Sequence, residues 1–322
     1  MWRFNKKHCA GMLVMGLLFA AAIADVSGAD AGQPQNKPQG KLHSNFTTAP
    51  VEVTKIADGL AMLSGPGGNV GVFYGPDGIL LIDTGVSGRD ADIRRAIAQL
   101  AGDKANIRFV LNTHFHADHS GNNAAFAGTG ATIIAHDNVR GRLSTEQFND
   151  FMQRKSPAWP AAAWPVLTLG DSGQIWLNGK HAVLKYMPPP AHTDGDVFVI
   201  FPELNVLQTG DLFFNGIFPF IDYSSGGSLD GMIAAQKKLL TLIDDNTKII
   251  PGHGPLANKK DLEKSIQMLE TVRDRIKPLV DAGKTLEEVR QANPLADLSA
   301  WESFFDVGTF TELVYRSYTL HD

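Results

Sequence analysis

Between residues 51 and 83 the apolar positions fall in short blocks divided by turn residues. Runs at 51–57, 60–64, 69–74 and 79–83 are separated by Asp58-Gly59, Pro66-Gly67-Gly68 and Pro76-Asp77-Gly78. This spacing predicts a meander of short strands, because glycine supplies positive φ and proline presets a turn. The period then changes. Ile93, Ala96, Ile97 and Leu100 recur at helical spacing, and Ser87 stands where a cap would, so 89–100 reads as a helix. The largely apolar run 107–111 reads as a buried strand, 122–127 and 138–151 as helices, and 132–135 as a strand between them.

A second group of strands is expected at 174–177, 182–186, 197–201 and 205–208, followed by a helix at 229–243 and a strand at 248–250. Asn258 can cap a helix whose stripe is Leu262, Ile266, Leu269, Val272 and Ile276; Pro278 is expected to kink or end it. Helical segments at 286–292 and 309–320 close the chain. Strands first, then strands mixed with helices, predict an α/β fold of two packed sheets with helices outside.

The first residues change the picture of where the protein works. Arg3, Lys6 and Lys7 precede an apolar stretch at 10–22 that is short for a membrane span. Small residues follow at Ser27-Gly28-Ala29, with Ala22-Ile23-Ala24 as a second option. Residues 1–29 therefore read as a secretory signal peptide, an uncleaved anchor being the alternative. Residues 30–50 read as a flexible lead-in and 51–322 as the working domain. Cys9, the one cysteine, would leave with the signal, and a product without thiols suits the periplasm or the exterior. The net charge of -5 argues against a nucleic-acid partner or, after cleavage, a membrane surface. The expected partner is a small-molecule substrate.

Candidate chemistry concentrates at Thr113-His114-Phe115-His116-Ala117-Asp118-His119, directly after the strand at 107–111. Imidazoles suit zinc and iron, and a carboxylate adds a hard, charged ligand. Three more candidates stand at strand ends beside Gly or Pro: His192 in Pro190-Ala191-His192-Thr193-Asp194-Gly195-Asp196, Asp211 in Thr209-Gly210-Asp211, and His253 in Pro251-Gly252-His253-Gly254. Nearby glycines let the backbone approach such a site closely. No Gly-x-Ser-x-Gly elbow appears, so serine catalysis has no support.

These motifs, in this order, resemble those of the metallo-β-lactamase-fold superfamily from about residue 51 to the end. The resemblance implies an αβ/βα sandwich with metals at one edge. It implies that His114, His116 and His192 hold one metal, that Asp118, His119 and His253 hold the second, and that Asp211 bridges both. Asp83, in Ile82-Asp83-Thr84-Gly85, would orient a ligand histidine. The set resembles that of hydroxyacylglutathione and lactone hydrolases. It departs from the commonest β-lactamases of the fold, which have cysteine at the place of Asp211 and lysine at that of Phe214. The implied cofactor is two Zn2+ per chain, with Fe or Mn accommodated by the same donors.

The implied activity is metal-assisted hydrolysis of an ester, thioester, lactone or amide, β-lactams included, with Asp118 and Asp211 as catalytic carboxylates. An iron-dependent sulfur dioxygenase-like oxidoreductase and a periplasmic helper of a quinoprotein dehydrogenase system are the alternatives. Around the site, Gly65-Pro66-Gly67-Gly68 resembles the fold's loop near the metals. Pro157-Ala158-Trp159-Pro160 with Trp164-Pro165 reads equally as lid or packed connector. Phe213, Phe214, Phe218 and Phe220 read as pocket or core, and Asp194 and Asp196 more as turn residues than as metal supports.

Overall fold

The computed structural model describes residues 48–320 apart from 66 and 103–104. The expected export signal, 1–29, lies outside these residues, as does the lead-in 30–50 up to residue 47. Strands β1 (Glu52–Ala57), β2 (Leu60–Ser64), β3 (Val70–Gly75) and β4 (Gly78–Ile82) form the expected meander, each antiparallel to the next. Helix α1 (Asp90–Ala101) leads to β5 (Ile107–Leu111), which lies parallel to β4. Ser87 does not cap α1. The N-cap position is Arg89, whose guanidinium bonds Asp92 at 2.8 Å. Asp90 and Asp92 in the first turn suit the positive end of the helix dipole.

Two short helices, α2 (Ala117–Ser120) and α3 (Asn123–Ala127), precede β6 (Thr132–His136) and α4 (Asp137–Leu143). The helix expected over 138–151 stops at Leu143. Ser144 and Thr145 turn their hydroxyls back onto the Gly141 carbonyl, and the following residues are too polar to continue a buried stripe. The chain instead forms a hairpin of β7 (Gln147–Asn149) and β8 (Arg154–Ser156). Strand β9 (Leu167–Leu169) then pairs with β6, completing a seven-stranded sheet ordered β1-β2-β3-β4-β5-β6-β9.

The second sheet holds β10 (Ser172–Leu177), β11 (Lys180–Tyr186), β12 (Val197–Phe201), β13 (Val206–Phe214) and β14 (Lys248–His253), in that order. Its pairs are antiparallel except β13 with β14, which α5 (Leu229–Leu240) connects. Helix α6 (Lys259–Asp281) starts at a capping box of Asn258 and Asp261. Pro278 does not end it. The proline sits in the last turn, where little helix remains to be disrupted. Helices α7 (Leu286–Ala292) and α8 (Val307–Thr319) follow.

Phe73 of β3 meets Phe201 of β12 at 5.3 Å between ring centroids, in a core that also joins Leu80, Ile82 and Leu111 to Val197 and Val199. The outer face of the first sheet packs against Ile93, Ala96 and Ile97 of α1. The outer side of the second packs against α5, α6 and α8. The result is the expected αβ/βα sandwich. No helix among the described residues is long and apolar enough to cross a membrane.

Candidate metal centre

The chain leaves β5, passes His114 and His116, and enters α2, which carries Asp118 and His119. Ser120 Oγ donates to the carbonyls of Phe115 and His116 and pins this loop. His192 lies between β11 and β12. Its N–H and that of Thr193 donate to Asp196 Oδ2 at 2.8 and 2.9 Å, so buried Asp196 fixes the loop that presents the histidine. Asp194 instead pairs with Arg142 of α4 at 2.7 Å. Asp211 and His253, expected just beyond their strands, lie inside them: β13 is buried throughout and runs on to Phe214, and His253 ends β14.

All seven candidates converge, in two groups. His114, His116, His192 and Asp211 form one, and Asp118, His119 and His253 the other; within each, the donor atoms lie within 4.8 Å of one another. His116 Nδ1 is 3.1 Å from His114 Nε2 and 2.9 Å from His192 Nε2. His119 Nε2 is 3.3 Å from His253 Nε2, and His253 Nε2 is 3.2 Å from Asp118 Oδ2. Asp211 stands between the groups, with Oδ2 3.3 Å from His192 Nε2 and Oδ1 3.0 Å from His119 Nε2.

The outer ring nitrogens show what the inner ones are for. His116 Nε2 reaches Asp222 Oδ2 at 2.9 Å, His192 Nδ1 the Phe220 carbonyl at 2.8 Å, and His119 Nδ1 Asp83 Oδ2 at 2.8 Å. His114 Nδ1 reaches Thr113 Oγ1 at 3.0 Å, and that hydroxyl donates to Asp83 at 2.8 Å. With each outer N–H given to an acceptor, the neutral rings turn lone pairs inward. In the His114, His116 and His192 group, lone pairs held 2.9 to 3.1 Å apart repel unless a cation lies between them. Buried Asp211 Oδ1, moreover, has no hydrogen-bond partner. The donor set therefore fits a metal cofactor.

Electrostatics divide the two groups. Burial pushes His192 down to about 4 and His114 well below its ordinary value, only partly offset by Asp211. Burial also disfavours charged His253 and His119, but there the carboxylates win. Asp211 and Asp118 push His253 up to about 9, and Asp211, Asp118 and Asp83 raise His119 well above its ordinary value. Burial would raise Asp118 and Asp211, yet the surrounding histidines hold both below the usual carboxylate range.

Backbone geometry completes the site. Asp83 sits at φ 67, a conformation uncommon for a non-glycine residue. It is fixed by bonds from the Thr113 N–H and hydroxyl and by His119, as expected of an orienting group. A Cβ on Gly252 would lie 2.0 Å from Asp211 Oδ1, and one on Gly68 2.1 Å from the His119 ring. Phe214 stacks on His253 at 5.0 Å and with Phe220 lines a cavity of about 400 Å³ over the second group, whereas Phe213 and Phe218 belong to the core. Trp159 and Trp164 pack on Ala135, Val139 and Leu143 as a connector, with Trp159 also reaching the cleft. Asp222 escapes sequence reasoning: it lies alone between Ile221 and Tyr223, with no histidine or glycine spacing to mark it.

The family model described as metallo-beta-lactamase superfamily matches residues 64–253. The chain belongs to that superfamily, and as an enzyme it stands with the superfamily's hydrolases. A hydroxyacylglutathione hydrolase from Polaromonas sp. is 29% identical over 60% of this chain and 69% of its own length. Another, from Nitrosococcus oceani, is 25% identical over 57% of this chain and 65% of its own. The chain thus spans about two thirds of the length of these relatives. Among solved structures, the metallo-beta-lactamase from Pontibacter korlensis overlays with a TM-score of 0.56 at 18% identity, covering 68% of this chain and 99% of that one. A sec-alkyl sulfatase covers 83% of this chain and 50% of its own, at 17% identity and a TM-score of 0.62. At these identities the overlays establish the fold.

Proposed function

We propose that the protein is an exported dinuclear zinc hydrolase acting on the carbonyl of an ester, thioester or lactone. One observation carries the reading: Asp211 lies between two complete donor groups, with one oxygen near His192 and the other near His119. Histidine and carboxylate donors without thiolate suit two zinc ions, with His114, His116, His119 and His192 each keeping the outer nitrogen on an acceptor. Bound there, such ions would supply a nucleophile from water at neutral pH and polarise the carbonyl under attack.

The chain's own groups supply the rest. Asp118 is held ionised by His119 and His253, and its side chain is 30% exposed toward the cavity. It can take a proton from the attacking water and return it to the leaving group. Asp211 is almost wholly buried and fixes the spacing of the two groups. Phe214, Phe220, Phe304 and Phe305 wall the cavity with apolar surface, which favours an apolar acyl or aromatic portion and excludes water. The hydroxyacylglutathione hydrolase relatives support carbonyl hydrolysis. Phe214, occupying the place where the resemblance puts a drug-binding lysine, disfavours β-lactams.

The test is turnover of matched phenyl esters, thioesters, lactones and nitrocefin by the zinc-loaded protein. Hydrolysis that stops on chelation and returns with zinc supports the reading. An absence of hydrolysis across these carbonyl classes overturns it.

A further inference from the structure

The β7–β8 hairpin stands over the site and divides its cleft. On one side lies the cavity walled by the four phenylalanines; on the other lies a cavity of about 300 Å³ reached by Gln147, Ser156, Trp159 and Ser225. His116, Ala117, Asn149 and Arg154 line both. Asn149 and Arg154 are paired across the hairpin, so one rung of that ladder forms the divide. Among the described residues lining the two cavities, Arg154 is the only lysine or arginine. The neighbouring cations are engaged: Lys155 with Glu146 at 3.0 Å, Arg142 with Asp194 at 2.7 Å, and Arg140 with the Pro165 carbonyl. Arg154 makes no ion pair with any described residue. The strand that carries Asp211 provides no alternative, since Phe214 is stacked on His253.

An arginine at a cleft with no carboxylate partner is a binding group for an anion, because its planar fork matches a carboxylate in two parallel bonds. We propose that Arg154 is a specificity-determining residue that selects substrates bearing a carboxylate at the end of the acyl chain away from the bond to be broken. The apolar lobe takes the hydrocarbon portion, and the anionic end lies at the divide. This rests on the hydrolase reading, but it assigns a role to a residue outside the metal centre.

The experiment uses the full zinc-loaded protein, its Arg154→Met and Arg154→Lys variants, and two esters of equal chain length, phenyl hexanoate and monophenyl adipate. Arg154 is exposed, so both variants should fold, and circular dichroism checks this. Wild type should favour the adipate in kcat/KM by about tenfold at low salt, an advantage that shrinks as salt rises. Arg154→Met should remove it by raising KM for the adipate, and Arg154→Lys should restore part. Equal use of both esters by wild type, or a preference that survives Arg154→Met, overturns the proposal. Calorimetry with 4-phenylbutanoate and 4-phenylbutanol gives a readout without turnover. If neither ester is hydrolysed but Arg154→Met weakens only the carboxylate, Arg154's role stands and the hydrolase reading falls. Hydrolysis with no dependence on Arg154 has the opposite meaning.

Discussion

His116 gives its outer nitrogen to Asp222, Nε2 to Oδ2 at 2.9 Å, and so presents Nδ1 to the cluster where His114 and His192 present Nε2. Asp222 is nearly buried and also receives the Ser225 hydroxyl at 2.7 Å, so its carboxylate is fixed before any metal arrives. Asp222→Asn should leave the fold intact and weaken metal retention by roughly 10–100-fold, the usual effect of losing such a partner. Competition with a chromogenic chelator measures this. Unchanged affinity would remove Asp222 from the site.

Asp83 serves the second group in the same way but is also structural. Asp83→Ala leaves the Thr113 N–H without its acceptor in a buried place and should cost about 1–3 kcal/mol of stability on that account. Asp83→Asn keeps an acceptor and tolerates φ 67, so it should unfold nearer wild type yet still lose affinity at the His119 group. Denaturant unfolding and metal titration, run on both variants, separate the two effects.

Gly252 should accept no side chain. A Cβ at 2.0 Å from Asp211 Oδ1 cannot coexist with the carboxylate where it stands. Gly252→Ala should therefore displace Asp211 and lower metal content and turnover together. A variant with full metal content and wild-type turnover would contradict the placement of Asp211.

Metal uptake should release protons. Burial opposes charge on His253, but Asp211 and Asp118 push it up to about 9, so it is protonated at neutral pH before metal binds; the same carboxylates with Asp83 shift His119 upward as well. Affinity should rise with pH by roughly tenfold per unit for each proton displaced, levelling off as pH passes about 9. The metal-free fold should behave oppositely. A histidine raised from 6.5 to about 9 adds stability that is full below 6.5 and fades as pH climbs through about 9. Chelator competition and metal-free melting across this range test both signs.

Much of this was legible in the sequence because it is local. The cluster from His114 to Asp118 and His119 is contiguous, and the meander is punctuated by glycine and proline at turns that the structure keeps. What escaped depends on distant partners. The β7–β8 hairpin follows apolar and polar residues that carry no clear period, and its register is set by pairing across the turn. Asp222 acquires its role only when His116, 106 positions away, folds onto it. Pro278 read as a kink or a stop because sequence alone does not say how little helix lies beyond it.

Elemental analysis of the purified protein, run alongside ester turnover, decides whether Asp211 would serve two metal ions. Zinc at on the order of two ions per chain, with hydrolysis that depends on it, is the expected result. A single iron per chain, with oxygen consumption and no hydrolysis, would overturn the dinuclear hydrolase and leave an oxidoreductase in its place.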